Sequence, residues 1–264
     1  MTAAAPFCWY ELMTSDLTAA EAFYATVIGW TAADSGMSGF RYSIFSAGET
    51  GVAGAMTLPE ELCAARVPPH WIGYVRVEDV DAALPRLIAA GGSVHRPAAD
   101  IPGVGRFAVV ADPGGAALCL FREAMPAPAR DPAEVPTGPA GTCPPGRVGW
   151  HELQAHDGDA AFAFYAALFG WSEVERMDMG AMGFYRLFAT GGPAVGGMMT
   201  RIPEAPRPFW LYYFGVEALD AAVDRLSAAG GRVVMGPMEV PGGAWIVQAF
   251  DPQGAMFALV APRR

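Results

Sequence analysis

Two carboxylates stand in matching surroundings, Glu11 within Trp9-Tyr10-Glu11-Leu12 and Glu152 within Trp150-His151-Glu152-Leu153. Alternate side chains of a strand share a face. A strand that turns Trp9 into a cavity therefore turns Glu11 and Met13 the same way, and one that turns Trp150 inward brings Glu152 and Gln154. A carboxylate walled by apolar groups is pushed toward its neutral form by desolvation. It can act as a general base, or accept a hydrogen bond from a ligand hydroxyl or amide. The alternative is a purely structural Glu that bonds backbone amides at the cavity mouth. Imidazoles are scarce: His70, His95, His151 and His156 are all there are. His151 and His156 are an odd number of residues apart, so one strand would place them on opposite faces. All four read as surface or loop residues.

The two carboxylates belong to an internal repeat. Trp9, Glu11, Asp16, Phe23, Tyr24, Gly29 and Trp30 return at offset 141 as Trp150, Glu152, Asp157, Phe164, Tyr165, Gly170 and Trp171. A second block, including Trp71, Tyr74, Arg86, Asp112, Pro113 and Gly115, returns at offset 139 as Trp210, Tyr213, Arg225, Asp251, Pro252 and Gly254. This is a tandem duplication, since solenoid repeats are shorter. The expected organisation is a module over 1–123, a Pro- and Gly-rich linker over 124–146, and a second module over 147–264.

Each module alternates one strand, one helix and three strands, then repeats that plan. Asp16 or Thr18 can cap the first helix, and Gly29 ends it. Gly48-Glu49-Thr50-Gly51 marks a hairpin, and Asp112-Pro113-Gly114-Gly115 a tight turn. Strands in a row with helices set apart predict an α+β fold.

Bulk composition narrows the function. Hydrophobic residues make up 53% of the 264 residues, enough for a globular core. The net charge of −10 argues against nucleic acid and anionic membranes as partners. No apolar run of about 18 residues predicts a membrane span. No basic segment followed by an apolar one opens the chain, so no signal peptide is expected. Cys8, Cys63, Cys119 and Cys143 form no Cys-x-x-Cys, which fits a reducing, cytoplasmic setting.

The Asp-x6-Phe-Tyr-x4-Gly-Trp block, the Val-Glu-x2-Asp helix entry, the Ala-Gly-Gly helix exit and the Asp-Pro-x-Gly turn occur in order in both modules. In these features the chain resembles the vicinal oxygen chelate superfamily of glyoxalases, bleomycin-resistance proteins and extradiol dioxygenases. It is most similar to tandem-module, glyoxalase-like bacterial proteins. The resemblance implies two glyoxalase-like modules, each of two β-α-β-β-β units whose curled mixed sheets surround a cavity. It also implies one divalent metal held by His and Glu. At the positions the resemblance assigns to ligands this chain has Trp9, Ile72, Met56 and Cys119 in one copy, and Trp150, Leu211, Met199 and Ala258 in the other. Such side chains make a poor set for a hard divalent cation, so no cofactor is expected.

What remains is a cavity wall of aromatic and methionine side chains. The expected ligand-binding set is Trp9, Met13, Tyr42, Met56, Tyr74, Cys119, Trp150, Gln154, Tyr185, Met199 and Tyr213, with Glu11 and Glu152 as candidate catalytic bases. Trp71 and Trp210 have the opposite strand parity and read as packing residues. A wall of this kind suits a flat, mostly apolar small molecule. The linker allows an internal pseudo-dimer in a monomeric chain, grouping Trp9, Glu11 and Met56 with Leu211, Tyr213 and Ala258. Three readings follow: a metal-free small-molecule binder, a metal-independent lyase, isomerase or hydroxylase-like enzyme using Glu11 or Glu152 as base, and a scaffold with self-filled cavities.

Overall fold

The computed structural model describes residues 4–124, 143–203 and 205–264. The first repeat unit comprises β1 (Phe7–Thr14), α1 (Leu17–Ile28), β2 (Thr31–Asp34), β3 (Tyr42–Ala47) and β4 (Thr50–Thr57). A short helix, α2 (Glu60–Ala64), leads into β5 (His70–Arg76), α3 (Val80–Ala89), β6 (Ser93–Ile101), β7 (Gly105–Ala111) and β8 (Ala117–Glu123). The third unit holds β9 (Val148–Ala155), α4 (Gly158–Phe169), β10 (Ser172–Asp178), β11 (Phe184–Ala189) and β12 (Ala194–Thr200). The fourth holds β13 (Phe209–Gly215), α5 (Leu219–Ala228), β14 (Arg232–Glu239), β15 (Trp245–Phe250) and β16 (Met256–Ala261).

Local chemistry explains the helix ends. Asp16, Asp79 and Asp157 each accept a hydrogen bond from a backbone amide of the first turn, satisfying donors that a helix leaves unpaired. Gly29 and Gly170 end α1 and α4 with φ of 90° and 71°, a left-handed conformation that other residues adopt at a cost. No residue of α1 places a positive charge in its last turn. Arg225 does so from α5: its Nε and Nη2 donate to the Thr26 and Val27 carbonyls at 2.9 Å each.

The strands form two mixed sheets of eight, ordered β2-β3-β4-β1-β5-β8-β7-β6 and β10-β11-β12-β9-β13-β16-β15-β14. Within each unit the first and last strands pair in parallel, as β1 with β4 and β9 with β12. The hairpins pair antiparallel. The α+β modules and their β-α-β-β-β plan therefore agree with the sequence. The expected curled sheets surrounding a cavity do not: both sheets are open, and their end strands β2 and β6, or β10 and β14, are not partners. The end strands are built as edges. All four residues of β2 are exposed. Pro97 in β6 and Pro237 in β14 lack the N–H that a further neighbour would need. The register of each of these strands slips around its proline.

By packing, the described residues fall into two compact units. One takes residues from Met1–Cys8, Gly73–Thr137 and His151–Trp210, the other from Trp9–Ile72, Gly138–Trp150 and Leu211–Arg264. In the first, α3 packs on α4; in the second, α1 packs on α5. Most of the expected linker, residues 125–142, lies outside the described residues. Its last residues are held in place: the Trp30 indole donates to the Gly146 carbonyl at 2.8 Å, and Gly146 N donates to Gly215 O at 2.8 Å.

Candidate ligand-binding site

Register and parity decide which side chains share a face. In the third repeat unit Glu152 lies beside Gly197, and Gln154 beside Met199. Gly197 in turn lies beside Leu187 of β11. Glu152, Gln154, Gly197, Met199, Leu187 and Tyr185 therefore occupy one face. The other face carries Leu153, Met198, Arg186 and Phe188 and receives α4: Arg186 pairs with Asp159 of that helix at 2.6 Å, and its guanidinium lies over the Phe162 ring. The candidate site is thus on the side that the helix does not cover.

On that side three predicted residues meet. Gln154 Nε2 donates to Glu152 Oε1 at 2.8 Å, and Tyr185 Oη donates to Glu152 Oε2 at 3.2 Å. Glu152 is buried, while Gln154 and Tyr185 are half-buried. Tyr185 reaches β9 by lying across Gly197, where an added Cβ would come within 2.1 Å of its ring. The missing side chain at Gly197 is therefore what lets Tyr185 reach Glu152.

The first repeat unit repeats the register with different hydrogen bonds. Glu11 lies beside Gly54, and Met13 beside Met56. The Tyr42 ring crosses Gly54, where a Cβ would fall 1.9 Å from its hydroxyl. Trp9 Nε1 donates to Tyr42 Oη at 3.0 Å, and Glu11 is buried. Where Gln154 offers an amide, Met13 offers a thioether. Sequence reasoning missed both glycines, although Tyr42, Gly54 and Met56 return together at offset 143 as Tyr185, Gly197 and Met199.

The remaining predicted residues lie on the second halves of the modules. Tyr74 and Cys119 are register partners on β5 and β8, both buried. Tyr213 is the partner of Ala258 and accepts a hydrogen bond on Oη from Gln248 Nε2 at 2.8 Å. Gln248 had no signal in the repeat, because the matching position holds Val109. Trp150 is buried. The expected grouping of Trp9, Glu11 and Met56 with Leu211, Tyr213 and Ala258 lies within one compact unit, whose main halves are residues 9–72 and 211–264. Those halves meet through the opposite faces: Tyr10 packs on Tyr212, Trp30 and Trp71 on Phe214, and Tyr24 on Phe257.

The most recurrent motif residues are structural. Trp71 Nε1 donates to Tyr24 Oη at 2.8 Å, and Tyr24 Oη donates to Asp251 Oδ2 at 3.1 Å. The second copy reproduces this chain, with Trp210 donating to Tyr165 at 3.2 Å and Tyr165 to Asp112 at 3.1 Å. The other oxygen of each aspartate accepts amides of its own turn, from Ala255 at 2.8 Å and from Ala116 at 2.9 Å. Burial raises the pKa of the Asp112 and Asp251 carboxyls against these bonds. Burial, then the Asp251 charge, also raises Tyr24.

One histidine departs from expectation. His151 is buried, stacked on Phe7 with ring centroids 4.2 Å apart, and its Nδ1 lies 2.7 Å from the Val195 carbonyl. Burial lowers its pKa to about 4. The odd position that removes it from the Glu152 face puts it into the core.

A divalent metal does not fit the positions the resemblance assigns to it. The Trp9 indole nitrogen is committed as a donor to Tyr42. Ile72, Leu211 and Ala258 are hydrocarbon side chains at 2% exposure or less. Among the described residues no three His, Cys, Asp or Glu side chains are grouped to hold a metal ion. No helix among them is long and apolar enough to cross a membrane. A cavity of about 210 Å³ lies elsewhere, beside Ile28, Val216, Glu217 and Arg225; it includes none of the predicted site residues.

Tandem modules of paired β-α-β-β-β units, with a carboxylate and aromatic face in place of metal ligands, define a glyoxalase-type protein whose metal site is degenerate. The chain belongs to the Glyoxalase/Bleomycin resistance protein/Dioxygenase superfamily, whose model matches residues 7–120 and 147–259. It is 33% identical over 260 residues to the Mycobacterium bovis protein CFP32, provisionally named a glyoxylase, covering 96% of this chain and 94% of that one. It is 33% identical over 269 residues to the anthracycline biosynthesis protein DauV of a Streptomyces species, covering 97% and 92%. The fold is similar to that of the Mn(II)-bound glyoxalase from Novosphingobium aromaticivorans, with a TM-score of 0.65 at 15% identity, covering 99% of this chain and 83% of that one.

Proposed function

We propose that the chain binds a small, flat, largely apolar aromatic molecule without a metal, on the sheet faces that carry Glu152 and Glu11. The observation that carries this reading is the buried Glu152 carboxylate held by Gln154 and Tyr185, where the family fold would otherwise place metal chemistry. Aromatic and thioether neighbours supply the apolar contact and a few fixed polar groups supply orientation, the usual composition of a small-molecule site. Two relatives are named for anthracycline biosynthesis, which favours a planar polycyclic aromatic. Binding is preferred to base catalysis because the buried Glu152 carboxylate is engaged as an acceptor by both Gln154 and Tyr185.

Thermal-shift screening in chelator tests the reading, since a ligand that binds only the folded chain raises its melting temperature. A planar hydroxylated aromatic such as 1,8-dihydroxyanthraquinone should raise the Tm of the wild type, and Tyr185→Phe should reduce that shift. A panel of planar aromatics that moves nothing would leave the self-filled scaffold as the better description.

A further inference from the structure

Among the face residues of the two copies, the largest change in side-chain chemistry is Gln154 against Met13. Gln154 is held by Glu152 at 2.8 Å. A carboxylate only accepts hydrogen bonds, so the amide nitrogen of Gln154 faces it and the orientation of the amide is fixed. The side chain is half-buried beside Met199. Its second N–H and its carbonyl oxygen then form a donor next to an acceptor, the complement of a carboxamide edge. In the other copy Met13 lies beside Met56, two thioethers with no such pair.

Building on the proposed binding function, we infer that Gln154 is the specificity-determining residue of the second-module site. It selects aromatic ligands that carry a neutral carboxamide or lactam edge, whereas the first-module site, with Met13, takes apolar edges. A site built to hydrogen-bond a ligand group discriminates strongly against an analogue that lacks it, because its own polar groups are left unpaired.

The test is calorimetric titration of the full chain in chelator with naphthalene-2-carboxamide and with 2-methylnaphthalene. Gln154→Met should weaken carboxamide binding about tenfold, the equivalent of one hydrogen bond, and add a second site per chain for the methyl compound. Met13→Gln should create a second carboxamide site per chain. If wild type binds both probes but Gln154→Met keeps the carboxamide preference, or weakens both probes equally, the assignment to Gln154 is overturned. If neither probe binds wild type, the binding function itself falls, and this inference with it.

Discussion

The Tyr24 hydroxyl donates to Asp251 across 227 residues of sequence. It joins the helix of one module to the Asp-Pro-x-Gly turn of the other. Tyr165 and Asp112 make the reciprocal bond. The Phe-Tyr and Asp-Pro motifs are thus two ends of one tether, each end fully buried or nearly so. Removing one end of a buried hydrogen bond costs the desolvation of the other.

Tyr24→Phe should therefore destabilise the chain by about 1–3 kcal/mol, because Asp251 Oδ2 and the Trp71 N–H both lose their partner. Urea unfolding measures the loss. A double-mutant cycle with Asp251→Asn should show coupling between the two sites; strictly additive losses would mean that the bond contributes nothing of its own.

Gly197→Ala should displace Tyr185, since the new Cβ would lie about 2 Å from its ring. Overpacking of this kind costs roughly 1–3 kcal/mol. Tyr185→Leu in the Gly197→Ala background should recover part of the stability, and an unperturbed Tyr185 resonance in Gly197→Ala would contradict the crossing geometry. Gly54→Ala should act on Tyr42 in the same way.

His151 predicts an acid-sensitive fold. Burial lowers its pKa from 6.5 to about 4, so the folded state prefers the neutral ring. Its contribution is complete above the unfolded pKa and is lost as pH falls from there through about 4. The full effect is on the order of 3 kcal/mol. Asp112 and Asp251, whose pKa values are raised, have the opposite sign and lose stability as pH rises. The Tm of His151→Phe should therefore vary less than that of wild type between pH 6.5 and 4; an equal fall in both proteins would rule out His151 as the source.

Much of this was legible in the sequence. Strand parity grouped Glu152 with Gln154 and Glu11 with Met13, and it assigned Trp71 and Trp210 to packing, because side-chain alternation is a local property of a strand. The open sheets were not legible: pairing of end strands is decided by distant geometry, and Pro97 and Pro237 gave the only local hint. The roles of Gly54 and Gly197 were hidden for a different reason. A glycine records only that something else needs the space, and the tyrosine that needs it lies on a neighbouring strand. His151 was misplaced because a buried neutral imidazole and an exposed one look alike in sequence.

The ligand positions inherited from the family predict indifference to metals. Chelator treatment should leave Tm unchanged, and titration with Mn(II), Fe(II) or Zn(II) should show no saturable binding at one ion per module. A stoichiometric ion that raises Tm would show that other side chains had assembled a site.

The most direct measurement is calorimetry of chelator-treated protein with 1,8-dihydroxyanthraquinone, comparing wild type with Glu152→Gln. The account predicts saturable binding without metal, weakened about tenfold or more when the carboxylate becomes an amide. Binding that appears only after Mn(II) or Fe(II) is added, or that is unchanged in Glu152→Gln, would contradict it.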